Sequence, residues 1–240
     1  MPDYRIKSVH AVQVQSRRHN MAVSARVETM DGAVGKALCY AGVSVGTHEV
    51  HFQYDGGNRW GGLGCMSAVR NVNTIIADTI LGMDVRNQFE IDQAMLSIQG
   101  NGSASVGGNA IAAVSAAVLK AGAAATQMPL YRYIGGENAC MLPVPGAPAF
   151  SGGERWGGAV HTHGNKPTGA FQCFGYDSFS EASSAAWDMY HLFAKELEKR
   201  GVTEGDWFFY RIPAGIFKHS DEELFELMAD VIHKTGNDGK

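Results

Sequence analysis

The stretch SVGGNAIAAVSAAVLKAGAAATQMPLYRYIGG, residues 105–136, constrains the fold more than any other part of the chain. Its first two-thirds are mostly Ala, Gly, Val and Ser. A plain surface helix carries more charge than this. A membrane span carries more Leu, Ile and Phe. No apolar run in the chain reaches the ~18 residues of a span without a polar interruption. Small side chains allow a backbone to come close to its neighbours. Ile111, Val114, Val118 and Ala121 are expected to form one stripe, with Ala112, Ala116 and Ala123 on its flanks. The prediction is a helix buried between a sheet and a second layer.

The sequence before this helix supplies both layers. Residues 4–16, YRIKSVHAVQVQS, read as a strand. In MAVSARVETM, Met21, Val23, Ala25 and Val27 point one way, and Ser24, Arg26 and Glu28 the other. Asp31-Gly32 turns the chain into AVGKALCY, which completes a three-stranded antiparallel meander. Met66, Val69, Val72, Ile76 and Ile80 follow at near-helical spacing, in a helix ending at Gly82. A shorter helix is expected in VRNQFEIDQAMLSIQG.

Beyond this point the pattern becomes strand and helix in alternation. TGAFQCFGY and GDWFFYRIP read as buried strands. Ser178 with Glu181, and Ser220 with Glu223, read as capping boxes opening helices. The first of these helices has Ala186, Tyr190, Phe193 and Leu197 on one face and stops at Gly201. The second has Leu224, Phe225, Met228, Val231 and Ile232. The expected division is an α+β domain over residues 1–136 and a strand–helix domain over 137–240.

Composition excludes some functions. The formal net charge is −4, with no basic block, which argues against nucleic acid as a partner. The first ten residues carry no apolar signal region. Cys39, Cys65, Cys140 and Cys173 are far apart, as expected of reduced and mostly buried thiols in a cytoplasmic protein.

Four motifs, in order, resemble the enolase family. SRRHNMAVSARV resembles S-R-G-N-P-T-V-E-V-x-V, and GVSVGTHEV, residues 42–50, resembles the mobile loop G-A-S-T-G-x-x-E-A. VGGNAIAAVSAAVLKAGAAATQMPLYRYIGG resembles F-G-A-N-A-I-L-A-V-S-x-A…A-A-A…P-L-Y-x-x-I. LPVPGAPAFSGG resembles L-P-V-P-x-x-N-x-x-N-G-G. The resemblance implies an α+β amino-terminal capping domain followed by the first strands and helices of a (β/α) TIM barrel, left incomplete. It also implies that the small-residue helix is scaffold.

Enolase chemistry removes a proton next to a carboxylate and then expels hydroxide. The charge that builds up needs Mg²⁺ and lysines to stabilise it. In the family these groups lie on later barrel strands, which the chain is expected to lack. The resemblance also exposes substitutions. The Q-E-F strand is here Gln172-Cys173-Phe174, so a carboxylate is replaced by a thiol. G-D-E-G is Gly205-Asp206-Trp207-Phe208, and the histidine of G-G-x-H aligns with Arg155. The loop serine that helps to hold a second magnesium ion aligns near Ala41–Gly42, with Ser44 kept.

The candidate site follows from this. Ser44 is the candidate metal ligand. Gly42, Ser44, Arg155 and Gln172 are candidates for substrate binding, Arg155 as a bidentate anion partner. His161, His163 and Cys173 are the candidate catalytic residues. The two histidines, at i and i+2, would share a face on a strand and bind a metal, would face solvent on a loop, or would contact a phosphate or carboxylate. Cys173 is either a nucleophile or a packing thiol. Glu49 and Asp206 are weaker candidates, and Trp207, Phe208 and Phe209 are expected to fill space.

A closed barrel needs eight strands, and an unfinished one exposes apolar edges. The expectation is therefore a second chain that completes the barrel, in a dimer or higher oligomer. The assembly would be a Mg²⁺-dependent hydro-lyase acting on a small anionic carboxylate, without nucleic acid or membrane. The alternatives are an inactive relative serving as a binding or regulatory subunit, and a fragment of a longer gene product.

Overall fold

The computed structural model describes residues 1–16, 20–40, 48–100, 105–151, 169–201, 212–213 and 220–239. The chain divides into two units, Met1–Cys140 and Met141–Lys240.

In the first unit, β1 (Ile6–Gln15), β2 (Met21–Thr29) and β3 (Val34–Cys39) form an antiparallel sheet in the order β1-β2-β3. β2 alternates as its sequence dictates: Met21, Val23, Ala25 and Val27 are buried, and Ser24, Arg26 and Glu28 lie half-buried between them. The turn into β3 is one residue longer than expected. Thr29 N–H donates to Ala33 O at 2.9 Å, so Met30, Asp31 and Gly32 form the loop. Gly32 takes the left-handed conformation at φ 89°, which closes a three-residue hairpin.

The helices cover one face. α1 (Met66–Asn71) runs through a π-helical turn, Val72–Ile76, into α2 (Ala77–Ile80). Val69, Val72, Ile76 and Ile80 are buried, but Met66 is exposed. Cys65, one residue earlier, takes the buried position. The π turn carries Asn73, whose side-chain amide pairs with the edge strand. Its Oδ1 accepts from Ala11 N–H at 2.7 Å, and its Nδ2 donates to Ala11 O at 3.1 Å. α3 (Gln88–Ser97), α4 (Gly108–Ala125) and α5 (Leu130–Gly135) complete the unit.

α4 is the small-residue helix, and it lies against β2 and β3 on one side and α3 on another. Its buried stripe is Ala110, Ala113, Val114, Ala117, Val118 and Ala121. Ile111 stands at the flank and Ala112 is exposed, so the centre of the stripe is alanine rather than the branched residues. The reason is Gly35 in β3. A Cβ at Gly35 would stand 2.0 Å from Ala117 O and 2.4 Å from Ala121 N. Sheet and helix therefore meet backbone to backbone, and any larger side chain at that crossing would hold them apart. By length and mean hydropathy α4 is long and apolar enough to cross a membrane, which the sequence reading did not expect; here half of it is buried within this unit.

In the second unit, β4 (Gly146–Ser151) pairs antiparallel with β5 (Gly169–Gln172) and parallel with β6 (Ile212–Pro213), in the order β5-β4-β6. The antiparallel pair departs from strict strand–helix alternation. α6 (Phe179–Lys199) and α7 (Asp221–Lys234) pack with this sheet around Phe171, Phe193, Leu197, Leu224 and Val231. Ser220 and Glu223 form the full capping box, whereas Ser178 accepts from Glu181 N–H only. Along α6 the buried face includes Met189, with Tyr190 half-buried beside it. On α7, Leu227 is buried and Phe225 is exposed, because the stripe runs through 224, 227 and 231.

A carboxylate ties the two helices of this unit together. Glu196, whose side chain is 8% exposed, lies 2.7 Å from Lys199 Nζ, 3.1 Å from Arg200 Nη1 and 3.8 Å from Lys234 Nζ of α7. Hydrogen bonds from Lys199 and Arg200 hold its carboxyl below the ordinary range.

Two predictions follow from this packing. Gly35→Ala forces helix and sheet apart and is expected to cost about 3 kcal/mol or more in urea unfolding; an unchanged midpoint would contradict the close approach. A carboxyl with a lowered folded pKa stabilises the fold above its ordinary pKa, and loses that contribution as pH falls through the folded value. Glu196→Gln should therefore lower the thermal midpoint of the second unit at pH 7 and leave it nearly unchanged near pH 2.

Candidate functional site

Gly42, Ser44, Arg155, His161, His163, Asp206, Trp207, Phe208 and Phe209 lie outside the described residues. Gln172 and Cys173 are described, at the end of β5. Cys173 N–H donates to Pro145 O at 3.1 Å, which extends the pairing beside β4. Alternation along the strand sends Phe171 and Cys173 to the helix side and leaves Ala170, Gln172 and Phe174 exposed. β5, expected as a buried strand, is therefore covered on one face only among the described residues. Phe171 meets Phe193 edge-to-face, with centroids 5.7 Å apart. The Gln172 amide lies over Gly146, where a Cβ would stand 2.7 Å from Nε2.

Cys173 is 3% exposed, and burial pushes its thiol above the ordinary range. A nucleophilic cysteine needs the opposite shift. Its surroundings in this structure are those of a packing thiol. It borders a cavity of about 90 Å³ with Phe171, Tyr176, Met189, Met228 and Asn237. The Tyr176 hydroxyl donates to Asn237 Oδ1 across this space. The cavity is well below the roughly 300 Å³ of the smallest usual ligand pockets.

The thiols as a group are more varied than expected. Cys65 and Cys173 are buried, Cys39 is half-buried and Cys140 is exposed, and all four are free. Burial raises Cys65 to about 11, more than the hydrogen bond from Asn109 lowers it. Among the described residues no three His, Cys, Asp or Glu side chains come together to hold a metal. Glu49 is exposed and has an interaction of its own.

The sequence reading passed over the residues that hold the segment leading away from the loop at 42–50. Residues 48–64 pass over the first unit before α1. Asp55 receives the first turn of α1, accepting from Met66 N–H at 2.9 Å, Ser67 N–H at 2.7 Å and Ser67 Oγ at 2.7 Å. Burial works to raise its pKa, but these hydrogen bonds win and hold it low. Asn109, 1% exposed, holds Gln53 by both backbone groups. The available signal was a lone amide opening an otherwise apolar helix.

Comparison with known proteins completes the description. The family described as "Enolase, N-terminal domain" matches residues 6–134, more than half of the chain. The enolase of Campylobacter jejuni (strain 81-176) is 40% identical over 199 residues, covering 82% of this chain and 47% of the relative. The enolase of Methanosarcina acetivorans is 40% identical over 202 residues, covering 82% and 46%. That of Methanopyrus kandleri is 41% identical over 198 residues, covering 81% and 45%. The chain spans about half the length of the curated relatives it matches. A match of 199 residues exceeds the first unit, Met1–Cys140, so the similarity continues into the second.

Proposed function

The chain belongs to the enolase family, and on that premise we propose that it is one part of a split enolase-type lyase. The observation that carries the family part of this reading is similarity of about 40% that runs through the capping unit into the second unit. In this reading the first unit is the capping domain, and the second supplies the opening strands of a barrel. A second polypeptide supplies the remaining strands, with the base and the metal carboxylates. The reaction removes the proton α to a carboxylate, and the resulting enediolate expels hydroxide from the neighbouring carbon, which leaves as water.

In this reading Mg²⁺ rests mainly on groups outside the described residues, with Ser44 contributing. The second unit also leaves large apolar side chains open: Met141 is 92% exposed, Leu142 69%, Trp187 65% and Phe174 58%. In this reading further polypeptide covers them.

The chain's own residues then have these roles. Gly42 and Ser44 close on the substrate. Arg155 pairs with its anionic group, where the family uses a histidine, and His161 and His163 stand in the same segment to contact or move a proton. Gln172 faces the open side of β5 as a substrate contact. The substrate is a small carboxylate or phospho-carboxylate.

A second reading, that of an inactive family member acting as a binding or regulatory subunit, is favoured by one feature. A thiol with a raised pKa stands where the family has a carboxylate. The two readings separate in an exchange experiment. The protein is isolated from its source with whatever accompanies it and incubated in D₂O with a panel of small hydroxy- and phospho-carboxylates. The lyase reading predicts Mg²⁺-dependent α-proton exchange, abolished by EDTA and reduced at least about tenfold by Ser44→Ala. No exchange with any member of the panel would leave the regulatory reading.

A further inference from the structure

Residues 48–64 form a strap that joins β3 to α1, and its first half is held by a small number of contacts. Among the described residues, the hydrogen bonds linking residues 50–54 to another segment all end on Gly108 and Asn109. Gly108 N–H donates to His51 O at 3.0 Å. Gln53 N–H donates to Asn109 Oδ1 at 3.0 Å, and Asn109 Nδ2 donates to Gln53 O at 3.1 Å. The amide thus satisfies both backbone groups of one residue, as a neighbouring strand would.

The two glycines before Asn109 have the same purpose. A Cβ at Gly107 would stand 2.6 Å from Gln53 Cβ, and one at Gly108 would stand 2.9 Å from Val50 O. Gly107 also takes φ 97°, which L side chains rarely adopt. The same amide reaches Cys65 Sγ at 3.8 Å, at the far end of the strap. Cys65 is 1% exposed, and Tyr54 of the strap packs against the core that contains it.

We infer that Gly107, Gly108 and Asn109 form a latch that holds the strap on the first unit, and that Asn109 is a positioning residue for the segment entering the strap at His48. The strap is a local opening unit, separable from the sheet and α4. Its release uncovers Cys65 without unfolding the core. Because residues 42–50 resemble the family's mobile loop, the latch fixes the carboxy-terminal root of that loop. This last consequence rests on the lyase reading; the latch does not.

Thiol labelling of the full chain tests the latch, read by peptide mass spectrometry with iodoacetamide. Cys140 is exposed and marks immediate labelling, and Cys173 reports on the second unit. Asn109→Ala should speed labelling of Cys65 about tenfold or more. Labelling of Cys173 and hydrogen exchange of the α4 amides from Ala113 to Ala121 should stay at their wild-type rates. Asn109→Asp keeps the acceptor for Gln53 N–H and loses the donor, so it should fall between. Gly108→Ala should act in the same direction as Asn109→Ala and replaces it if that variant does not fold. An unchanged Cys65 rate overturns the proposal. So does a rise in Cys65 labelling matched by the α4 amides, which would mean that the whole unit opens together. Failure of the lyase reading would leave all of these rates as predicted.

Discussion

The first unit depends on one crossing, where Gly35 of β3 meets α4 with no side chain between the two backbones. Everything near that contact is sized to it. Ala113, Ala117 and Ala121 keep the helix surface low, and Val114 and Val118 fill the space to one side. The sheet, in turn, presents Val23, Ala25 and Val27 toward the covered face. Dense packing of this kind gains contact from backbone atoms that larger side chains would hold apart. The glycines and alanines of the sequence are therefore specific packing choices. They also explain why a helix apolar enough to cross a membrane is the core helix of this unit.

Close backbone packing creates a second demand, since strands and straps brought to an apolar helical layer still carry polar backbone groups. Two asparagines meet it in the same way. Asn73, aimed by the π turn, satisfies both groups of Ala11 on the sheet edge, and Asn109 satisfies both groups of Gln53 on the strap. A side-chain amide carries one acceptor and a donor in nearly the geometry of a peptide, so it substitutes for a strand where none fits. The two sites differ in consequence. Asn73 seals an edge of the sheet, whereas Asn109, together with Gly108 N–H, secures the first half of the strap.

Local patterns carried much of this fold. Alternation in residues 21–29 and the Ser220–Glu223 box reflect short-range physics and appear in the structure, and the turn at Asp31-Gly32 appears one residue longer than expected. Errors arose where a neighbour decides. Ile111 looked central because it is large, but the crossing with Gly35 demands alanine, which moves the stripe around the helix. Met66 fell outside the core because Cys65 occupies it. The π turn and the amide clamps have no periodic signature, and the antiparallel β4–β5 pair depends on contacts distant in sequence. The candidate site was legible mainly through its resemblance to a family. Of the residues chosen for it, Glu49, Gln172 and Cys173 fall among the described ones, and Cys173 is buried toward helices α6 and α7.

In the proposed function these residues contribute part of an enolase-type assembly and further polypeptide contributes the rest. Native mass spectrometry of the protein isolated gently from its source tests this most directly. The expected species has a mass that exceeds any whole number of copies of the 240 residues by additional polypeptide large enough for the missing barrel strands. A species made up only of copies of these 240 residues would contradict it.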